Sequence, residues 1–313
     1  MKELTLSQEL YIDIVDWMQS RYSISTIKSR QSYLKRMFKK YKVLNRETMS
    51  IIYRTFKNPA DKASFVMINE YCSENNIDFN VIIPRMKYKK PKIPELLSKS
   101  EIELMVKSAP KPYDMVIRCI FNMGAGLRIS EIIKFSWNHI RWADWLSNKS
   151  GYGVAIIKQG KGGKERVVNI PQNLMNDLYE YAKESNVLNE FGIPSGSFIF
   201  EFGGIGKAMG KSNDYLAKNT KFIDDEWKYQ YVRSKYAWFR YNILQKYCEK
   251  ALNKQIHIHQ LRHSRATYLY EVEKVGLADI QKLLGHTSLD TTMRYIQIDV
   301  KNIFEDIKNT MEL

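Results

Sequence analysis

Four residues near the carboxyl end have the types needed to transfer a phosphoryl group onto a protein hydroxyl: His259, Arg262, His286 and Tyr295. A phosphodiester under attack carries spread negative charge, which a planar, permanently charged guanidinium binds through two donors. Histidines exchange protons near neutral pH, and a tyrosine hydroxyl can hold a phosphoryl group covalently. Each residue alone is most often structural, so the prediction depends on their joint order and spacing.

A second arginine follows a double-glycine turn in the middle of the chain. The run GLRISE at 126–131 places Arg128 at the first turn of a predicted helix, where backbone N–H groups and the helix dipole favour an anion. Glu131 lies one helical turn later and is expected to steady Arg128 from behind. The alternative interpretation is an ordinary surface ion pair.

Further along, two short strand-like runs at 154–157 and 167–170 enclose a glycine-rich turn, GKGGKER. We predict a β-hairpin whose turn carries Lys161 into a groove and presents Lys164 and Arg166 to phosphates. The alternative is a set of solvated basic side chains. A nucleotide-binding P-loop is excluded, because its GxxxxGK[ST] spacing is absent and this turn joins strand to strand.

Three histidines, His257, His259 and His263, lie close enough in sequence to suggest a metal site. However, the HExxH pattern is absent, and no cysteine or suitably placed carboxylate completes a ligand set. We therefore predict no metal. His259 and Arg262, three residues apart, instead share one face at the start of a helix and can point at a single oxyanion.

The composition indicates a polyanionic partner. The chain has 313 residues with 49 Lys and Arg against 34 Asp and Glu, a net charge of +15 that favours nucleic acid. The alternative is a solvated basic surface. Three scattered cysteines argue against a disulfide scaffold. No signal peptide or membrane-spanning run is recognisable, so we expect a cytoplasmic, nucleoid-associated protein without a membrane partner.

Residues 1–83 are predicted to form a helical DNA-binding domain. Ser25 is expected to cap a helix that buries Leu34, Met37, Phe38 and Tyr41. The opposite face of this helix carries basic residues that we expect to lie along phosphates; these are Lys28, Arg30, Lys35 and Lys39. Residues 84–97 form a basic, proline-rich linker, which adds four candidate DNA contacts: Arg85, Lys87, Lys89 and Lys90.

Residues 98–313 are predicted to form a second, mainly α-helical domain with a small antiparallel β-hairpin. Ser98 and Glu101 indicate a capping box at its first helix. The stretch 195–253 is read as a loop followed by a helix from about 225 to 252. The tail, 301–313, carries an apolar stripe typical of a short terminal helix.

Taken in order, the motifs GLRISE, GKGGKER, HQLRHS, LLGHTS and TTMRYIQ resemble those of the tyrosine recombinase family, the phage-integrase and Xer-type site-specific recombinases. The motifs extend from about 95 to 298, and the first 83 residues resemble the family's helical core-binding domain more loosely. The chain departs from the family pattern in two ways. The gap between Arg128 and the hairpin is longer than in compact Xer proteins, and the region 195–253 is expanded.

The resemblance implies a role for each motif residue. Arg128 and Arg262 would be the catalytic arginines, with Glu131 supporting the first. The remaining assignments are Lys161 as the hairpin lysine, His259 and His286 as the catalytic histidines, and Tyr295 as the nucleophile.

The implied function is cleavage and rejoining of double-stranded DNA through a 3′-phosphotyrosyl intermediate, without cofactor, metal or ATP. The family also implies a homotetramer on paired sites, in which the tail can dock on a neighbouring protomer. Two alternatives stay open at this point. One is a type IB topoisomerase, which uses the same chemistry, and the other is a non-catalytic, architectural DNA-binding protein.

Overall fold

The structure, a computed structural model, describes residues 3–55, 59–80, 82, 95–147, 151–157, 165–203, 225–286 and 292–293. Contacts between residues divide the chain into two compact units, Met1–Lys92 and Ile93–Leu313. The described parts are mostly helical with two small antiparallel strand pairs, which confirms the predicted fold class. None of the described helices is long and apolar enough to cross a membrane.

In its described residues, the N-terminal unit has four helices and one pair of very short strands. In chain order these are β1 (Leu4–Thr5), α1 (Gln8–Gln19), α2 (Ile24–Lys40), β2 (Val43–Leu44), α3 (Arg46–Thr55) and α4 (Pro59–Glu74). Helix α2 buries Ile27, Leu34 and Met37, while Phe38 and Tyr41 pack at the edge of the same core. The predicted apolar face is therefore present in the unit.

Two details of this unit differ from the predictions. Helix α2 begins at Ile24 with Ser23 as its N-cap, so the expectation of a cap at Ser25 is wrong. Both serines suit a cap by type, and the extended backbone of Ser23 decides between them. The pairing of β1 with β2 was not predicted, because two-residue strands are too short to show an alternating pattern.

The described part of the C-terminal unit consists of helices and one pair of antiparallel strands. Its first elements are α5 (Lys99–Ser108), α6 (Tyr113–Asn122), α7 (Ile129–Ile132), a 3₁₀ turn (Trp137–His139), α8 (Trp142–Ser147), β3 (Gly153–Ile157), β4 (Arg166–Ile170) and α9 (Gln172–Glu184). After residues 204–224, which lie outside the described part, follow α10 (Asp225–Phe239), a π-helical segment (Arg240–Glu249), α11 (Lys250–Leu252), α12 (Ile258–Glu271) and α13 (Leu277–Leu284).

Helix α6 is central to this unit, because it packs against α5, α9 and α12. Five of its ten side chains are buried. Strands β3 and β4 pair antiparallel, with Gly153 opposite Ile170 and Ile157 opposite Arg166. Their alternate residues Ala155 and Val168 enter the main core. The predicted hairpin strands are thus present, each one residue longer, while the turn at 158–164 lies outside the described residues.

The expected helix from about 225 to 252 is also present, but its middle part is wound as a π-helix. Ile243, Leu244 and Cys248 of that segment are fully buried against the core of the unit. The apolar pattern of the sequence predicts a helix here and does not distinguish π from α winding.

A second, smaller apolar cluster holds the last two helices to the double-glycine turn. It consists of Ala125 from that turn, Ala266 and Leu269 from α12, and Ile280 and Leu284 from α13. Ala125 lies in the turn before α7 and Leu284 ends α13, so this cluster brings the turn before α7 close to the end of α13, beside the candidate site.

The capping box predicted for α5 is present in full. The Glu101 backbone N–H donates to Ser98 Oγ at 3.2 Å, and the Ser98 N–H donates to Glu101 Oε2 at 2.8 Å. We expect Ser98→Ala to lower the free energy of unfolding of the C-terminal unit by about 1 kcal/mol, since the side-chain cap is lost. Urea unfolding followed by tryptophan fluorescence measures this. Glu103→Ala, at an exposed position of the same helix, is the control, and an equal loss in both variants would contradict the prediction.

Candidate active site

Helix α12 carries two of the predicted site residues and is fixed at its start by a polar network. The His257 backbone N–H donates to Gln260 Oε1 at 2.5 Å, and Gln260 Nε2 donates to the Glu95 carbonyl at 2.8 Å. Ser264, further along the helix, accepts from the Leu97 N–H at 2.8 Å. One side of α12 is thereby tied to the segment 95–97, and the other side presents His259 and Arg262 to the site.

The Arg262 side chain is almost completely buried, with 1% of its surface exposed. Its Nη1 donates to the Gly126 carbonyl and its Nη2 to the Leu284 carbonyl, the latter at 2.6 Å. Leu284 ends helix α13, so the guanidinium also lies at the negative end of a helix dipole. Backbone carbonyls from two distant turns therefore fix the orientation of this arginine.

Gly126 is required here by space as well as by backbone conformation. Its φ is +99°, and a Cβ at this position would lie 2.9 Å from the Ile120 carbonyl oxygen and 3.2 Å from Arg262 Cγ. A side chain would thus strain the turn and press on the arginine. The sequence indicates a flexible turn at this place, and the close approach of Arg262 is visible only in the structure.

Arg128 reaches the same oxygen atom as Arg262. It is the N-cap of α7, and its Nη2 lies 3.5 Å from the Leu284 carbonyl oxygen to which Arg262 Nη2 donates. The two guanidinium nitrogens can be no further apart than the sum of these two short distances. The structure thus brings the two predicted arginines, 134 positions apart in the numbering, to one place.

Glu131 lies at the centre of the arginines and is buried. It accepts from the Arg128 N–H at 2.8 Å and from Arg128 Nη1 at 3.0 Å, and it forms two further bonds of 2.7 Å with Arg166. Burial by itself would raise the pKa of the Glu131 carboxyl. The hydrogen bonds and charge of Arg166, the Arg128 N–H and the charge of Arg262 outweigh burial and lower this pKa to about 2.

His259 lies at the solvent-facing rim of the site. Partial desolvation of its ring, and then the positive charges of Arg262 and Arg128, lower the pKa of this histidine below its usual value. The imidazole is therefore neutral at neutral pH, and a neutral imidazole can accept a proton.

His286 is held in place by the turn that ends α13. Gly285 adopts φ +65°, the His286 N–H donates to the Gln281 carbonyl at 3.1 Å, and Gln281 Nε2 donates to the His286 carbonyl at 3.1 Å. The ring Nδ1 lies 3.0 Å from Oγ1 of the buried Thr292. Sequence reasoning missed Gln281 and Thr292, and their only sequence signal is that both are polar residues within six positions of the histidine.

Several predicted site residues lie outside the described part of the chain. These are Lys161 and Lys164 of the hairpin turn, Tyr295, and the linker residues Arg85, Lys87, Lys89 and Lys90. The tail 301–313 is also outside it. In the N-terminal unit, Lys35 and Lys39 are exposed on α2, while Lys28 and Arg30 are half-buried. The roles of all these residues stay predictions.

Arg166, predicted as a DNA contact, lies at the start of β4 beside Glu131. Only 10% of its side chain is exposed, and both Nη atoms are bound by Glu131. The Arg166 side chain points inward because its pairing with the buried Glu131 carboxylate offsets the cost of burying that charge. In the described residues, moreover, no group of three His, Cys, Asp or Glu side chains is arranged to hold a metal ion.

The structure thus shows a helical domain in which two arginines meet at the Leu284 carbonyl oxygen, which we take as the candidate anion-binding point, with His259 on the same helix as Arg262 and His286 two residues after Leu284. Comparison with known proteins gives the family: residues 95–302 match the model of the phage integrase family. The chain belongs to this family, and the resemblance to tyrosine recombinases found in the sequence is confirmed.

Among curated proteins, the chain is similar to tyrosine recombinase XerA from two archaea. It is 28% identical over 228 residues to the Pyrococcus furiosus protein and 30% identical over 226 residues to the Pyrococcus horikoshii protein. Each match covers 71% of this chain and 65% of the relative, so the chain spans about two thirds of the length of these proteins.

Two solved structures show the same fold. The XerH site-specific recombinase bound to a palindromic difH substrate matches with a TM-score of 0.59 at 16% identity, covering 96% of this chain and 84% of that chain. A lambda integrase tetramer bound to a Holliday junction matches with a TM-score of 0.57 at 13% identity, covering 94% and 78%.

We expect Gly126→Ala to destabilise the C-terminal unit by about 2 kcal/mol or more, because the added methyl group meets backbone oxygen and Arg262 in a left-handed turn. Gly151→Ala is the matched control, since a Cβ there meets nothing within 4 Å. Urea unfolding of both variants measures the difference. Equal stability of Gly126→Ala and the wild type would show that the turn is not constrained as described.

The lowered pKa of Glu131 predicts how stability depends on pH. The ionised carboxylate stabilises the native state above its unfolded value of 4.5, and this contribution is lost as the pH falls towards about 2. Glu131→Gln should therefore lose about 3 kcal/mol at pH 7, with a smaller difference from the wild type at pH 3. Glu180→Gln, from an exposed ion pair on α9, should change stability by less than about 1 kcal/mol. A pH-independent difference for Glu131→Gln would contradict the assignment.

Proposed function

We propose that this protein is a site-specific DNA recombinase or integrase, which cleaves and rejoins DNA strands through a 3′-phosphotyrosyl intermediate. The observation that supports this most directly is the shared acceptor at Leu284, which receives donors from both Arg128 and Arg262. The two guanidiniums are therefore close enough to bind the same acceptor, which in this structure is an uncharged carbonyl oxygen. A phosphodiester presents two non-bridging oxygens with a full negative charge, and it competes for such donors strongly.

The arginines would bind the non-bridging oxygens of the scissile phosphate. Their guanidiniums are planar and held by Glu131 and by backbone carbonyls, so little reorganisation is needed when charge develops on the phosphate. His286 extends the same binding site, because Gln281 and Thr292 fix its backbone and ring. In this mechanism it donates a hydrogen bond to the phosphate.

Tyr295 is the proposed nucleophile, on the strength of the family motif. A tyrosine hydroxyl has a pKa of about 10 and must lose its proton during attack. His259 is suited to accept that proton, since desolvation of its ring and the charges of Arg262 and Arg128 lower the pKa of its imidazole. The bond from the tyrosine oxygen to phosphorus forms as the bond from phosphorus to the 5′ oxygen breaks.

Lys161 is proposed to protonate the leaving 5′ oxygen, a contribution of roughly 10²- to 10⁴-fold for a general acid. The phosphodiester energy is retained in the protein–DNA ester, and attack by a 5′-hydroxyl reverses the chemistry. When that hydroxyl comes from a partner duplex, the result is recombination. The steps need no ATP, and the arginines and the lysine supply the charge and the proton.

Double-stranded DNA is the proposed partner. The net charge of +15 and the exposed Lys35 and Lys39 on α2 support this proposal. We assign residues 1–83 as the core-binding domain, 84–97 as the basic linker and 98–313 as the catalytic domain. A homotetramer on paired sites is inferred from the lambda integrase assembly, with a tail that can be exchanged between protomers. The protein would then work where the DNA lies, at the nucleoid.

The two alternative functions receive no support from the comparisons. The family model and the similar structures are those of integrases and recombinases, whereas the alternatives were a type IB topoisomerase and a non-catalytic DNA-binding protein. Relaxation of supercoiled plasmid by monomeric protein, without a selected site, would favour the topoisomerase.

The function is tested by trapping the covalent intermediate. A binding site is first selected from random-sequence duplexes and then synthesised with a nick beside the cleavage position, so that the cut strand cannot be rejoined. We expect the wild type to form a DNA adduct that survives denaturing electrophoresis, and Tyr295→Phe to form none while binding DNA equally well.

Tyr152→Phe, a change at an exposed tyrosine directly before β3, is the control and should form the adduct normally. An unchanged adduct in Tyr295→Phe would move the nucleophile to another residue. Specific binding without any adduct in the wild type would favour the non-catalytic alternative.

A further inference from the structure

Resting on the proposed function, we infer that Arg166 is a positioning residue for the active site, which acts on Arg128 through Glu131 and does not itself contact DNA. Its two Nη atoms donate to the two oxygens of Glu131, each at 2.7 Å. This is the bidentate, fork-to-fork geometry that fixes the plane of a carboxylate as well as its position. A lysine at the same place would supply the charge without the second donor.

The orientation of Glu131 matters because the same two oxygens hold Arg128. Oε1 accepts from Arg128 Nη1 at 3.0 Å, and Oε2 accepts from the Arg128 backbone N–H at 2.8 Å. A rotation of the carboxylate would break one of these bonds and free the Arg128 guanidinium to move. Arg166 therefore determines where the first arginine of the anion-binding point lies.

Arg166 also packs against the turn that presents His286. A Cβ built on Gly285 would lie 3.5 Å from Arg166 Cδ and 3.8 Å from Nη1, so the arginine covers the glycine face of this turn. Arg166 is the first residue of β4, opposite Ile157, at the base of the hairpin whose turn contains Lys161. One side chain thus connects the lysine hairpin, Arg128 and the His286 turn.

The burial of Arg166 argues against a direct phosphate contact. Its side chain is 10% exposed and Glu131 is 3% exposed, so a phosphate would have to displace a buried ion pair to reach it. A basic side chain that neutralises a phosphate releases counterions condensed on the DNA, whereas an arginine that stays paired with a buried carboxylate releases none. The two roles therefore differ in salt dependence.

The first test uses Arg166→Lys on the selected, nicked duplex. We expect single-turnover cleavage to fall about 10- to 100-fold, because Arg128 is misplaced. The DNA dissociation constant and its salt dependence should stay unchanged. A phosphate contact would instead weaken binding and reduce the salt slope by about 1, and that result would overturn the inference. Arg118→Lys, from the Arg118–Asp177 ion pair between α6 and α9, is the matched control and should cleave at the wild-type rate.

A double-mutant cycle separates action through Glu131 from an independent effect. If Arg166 works through this carboxylate, Arg166→Lys adds little to the loss of cleavage already caused by Glu131→Gln. Losses that multiply would show two independent roles and contradict the inference.

The third measurement does not depend on catalysis. In the DNA-free protein, the Gly285 N–H donates to the Lys282 carbonyl at 3.0 Å and the His286 N–H to the Gln281 carbonyl at 3.1 Å. Hydrogen exchange at these two amides should be faster in Arg166→Lys than in the wild type and in Arg118→Lys. Unchanged exchange overturns the inference. If the wild type forms no DNA adduct, the proposed function fails, while this measurement still decides the role of Arg166.

Discussion

Three guanidinium groups lie around a single buried carboxylate in the C-terminal unit, and this concentration of positive charge is the constraint on which the site depends. Glu131 compensates Arg128 and Arg166, while the carbonyls of Gly126 and Leu284 receive the donors of Arg262. A buried charge without partners is strongly destabilising, so these contacts stabilise the fold as well as shaping the site. The same excess of positive charge makes the pocket attractive to an anion.

The backbone at two glycines makes this arrangement possible. Gly126 allows Arg262 to approach the turn before α7, and Gly285 ends α13 in the left-handed conformation that turns the chain towards His286. The Leu284 carbonyl is left free at the helix end because the last carbonyls of a helix have no partner within it. The two arginines use this carbonyl, so the helix terminus and the guanidiniums satisfy each other.

Much of the fold was predictable because its signals are local. The α5 capping box, the apolar face of α2 and the two hairpin strands follow from residue types at fixed short spacings. Ser23 in place of Ser25 as the α2 cap, the β1–β2 pairing and the π-helical segment were not predictable in this way. Two serines suit the cap by type, two-residue strands show no alternating pattern, and an apolar pattern does not distinguish π from α winding.

The sequence by itself determined the family, the mainly helical fold class and the residue types available for chemistry, since ordered motifs and periodicity need no knowledge of packing. The tertiary structure alone decided that Arg128 and Arg262 share the Leu284 oxygen, and that Arg166 faces a carboxylate in the protein interior. Arg262 and the Gly126 carbonyl are separated by 136 positions, and only burial of the helices between them brings such groups together. The direction of the Arg166 side chain at the start of β4 is likewise set by Glu131, a partner that only the folded core places beside it.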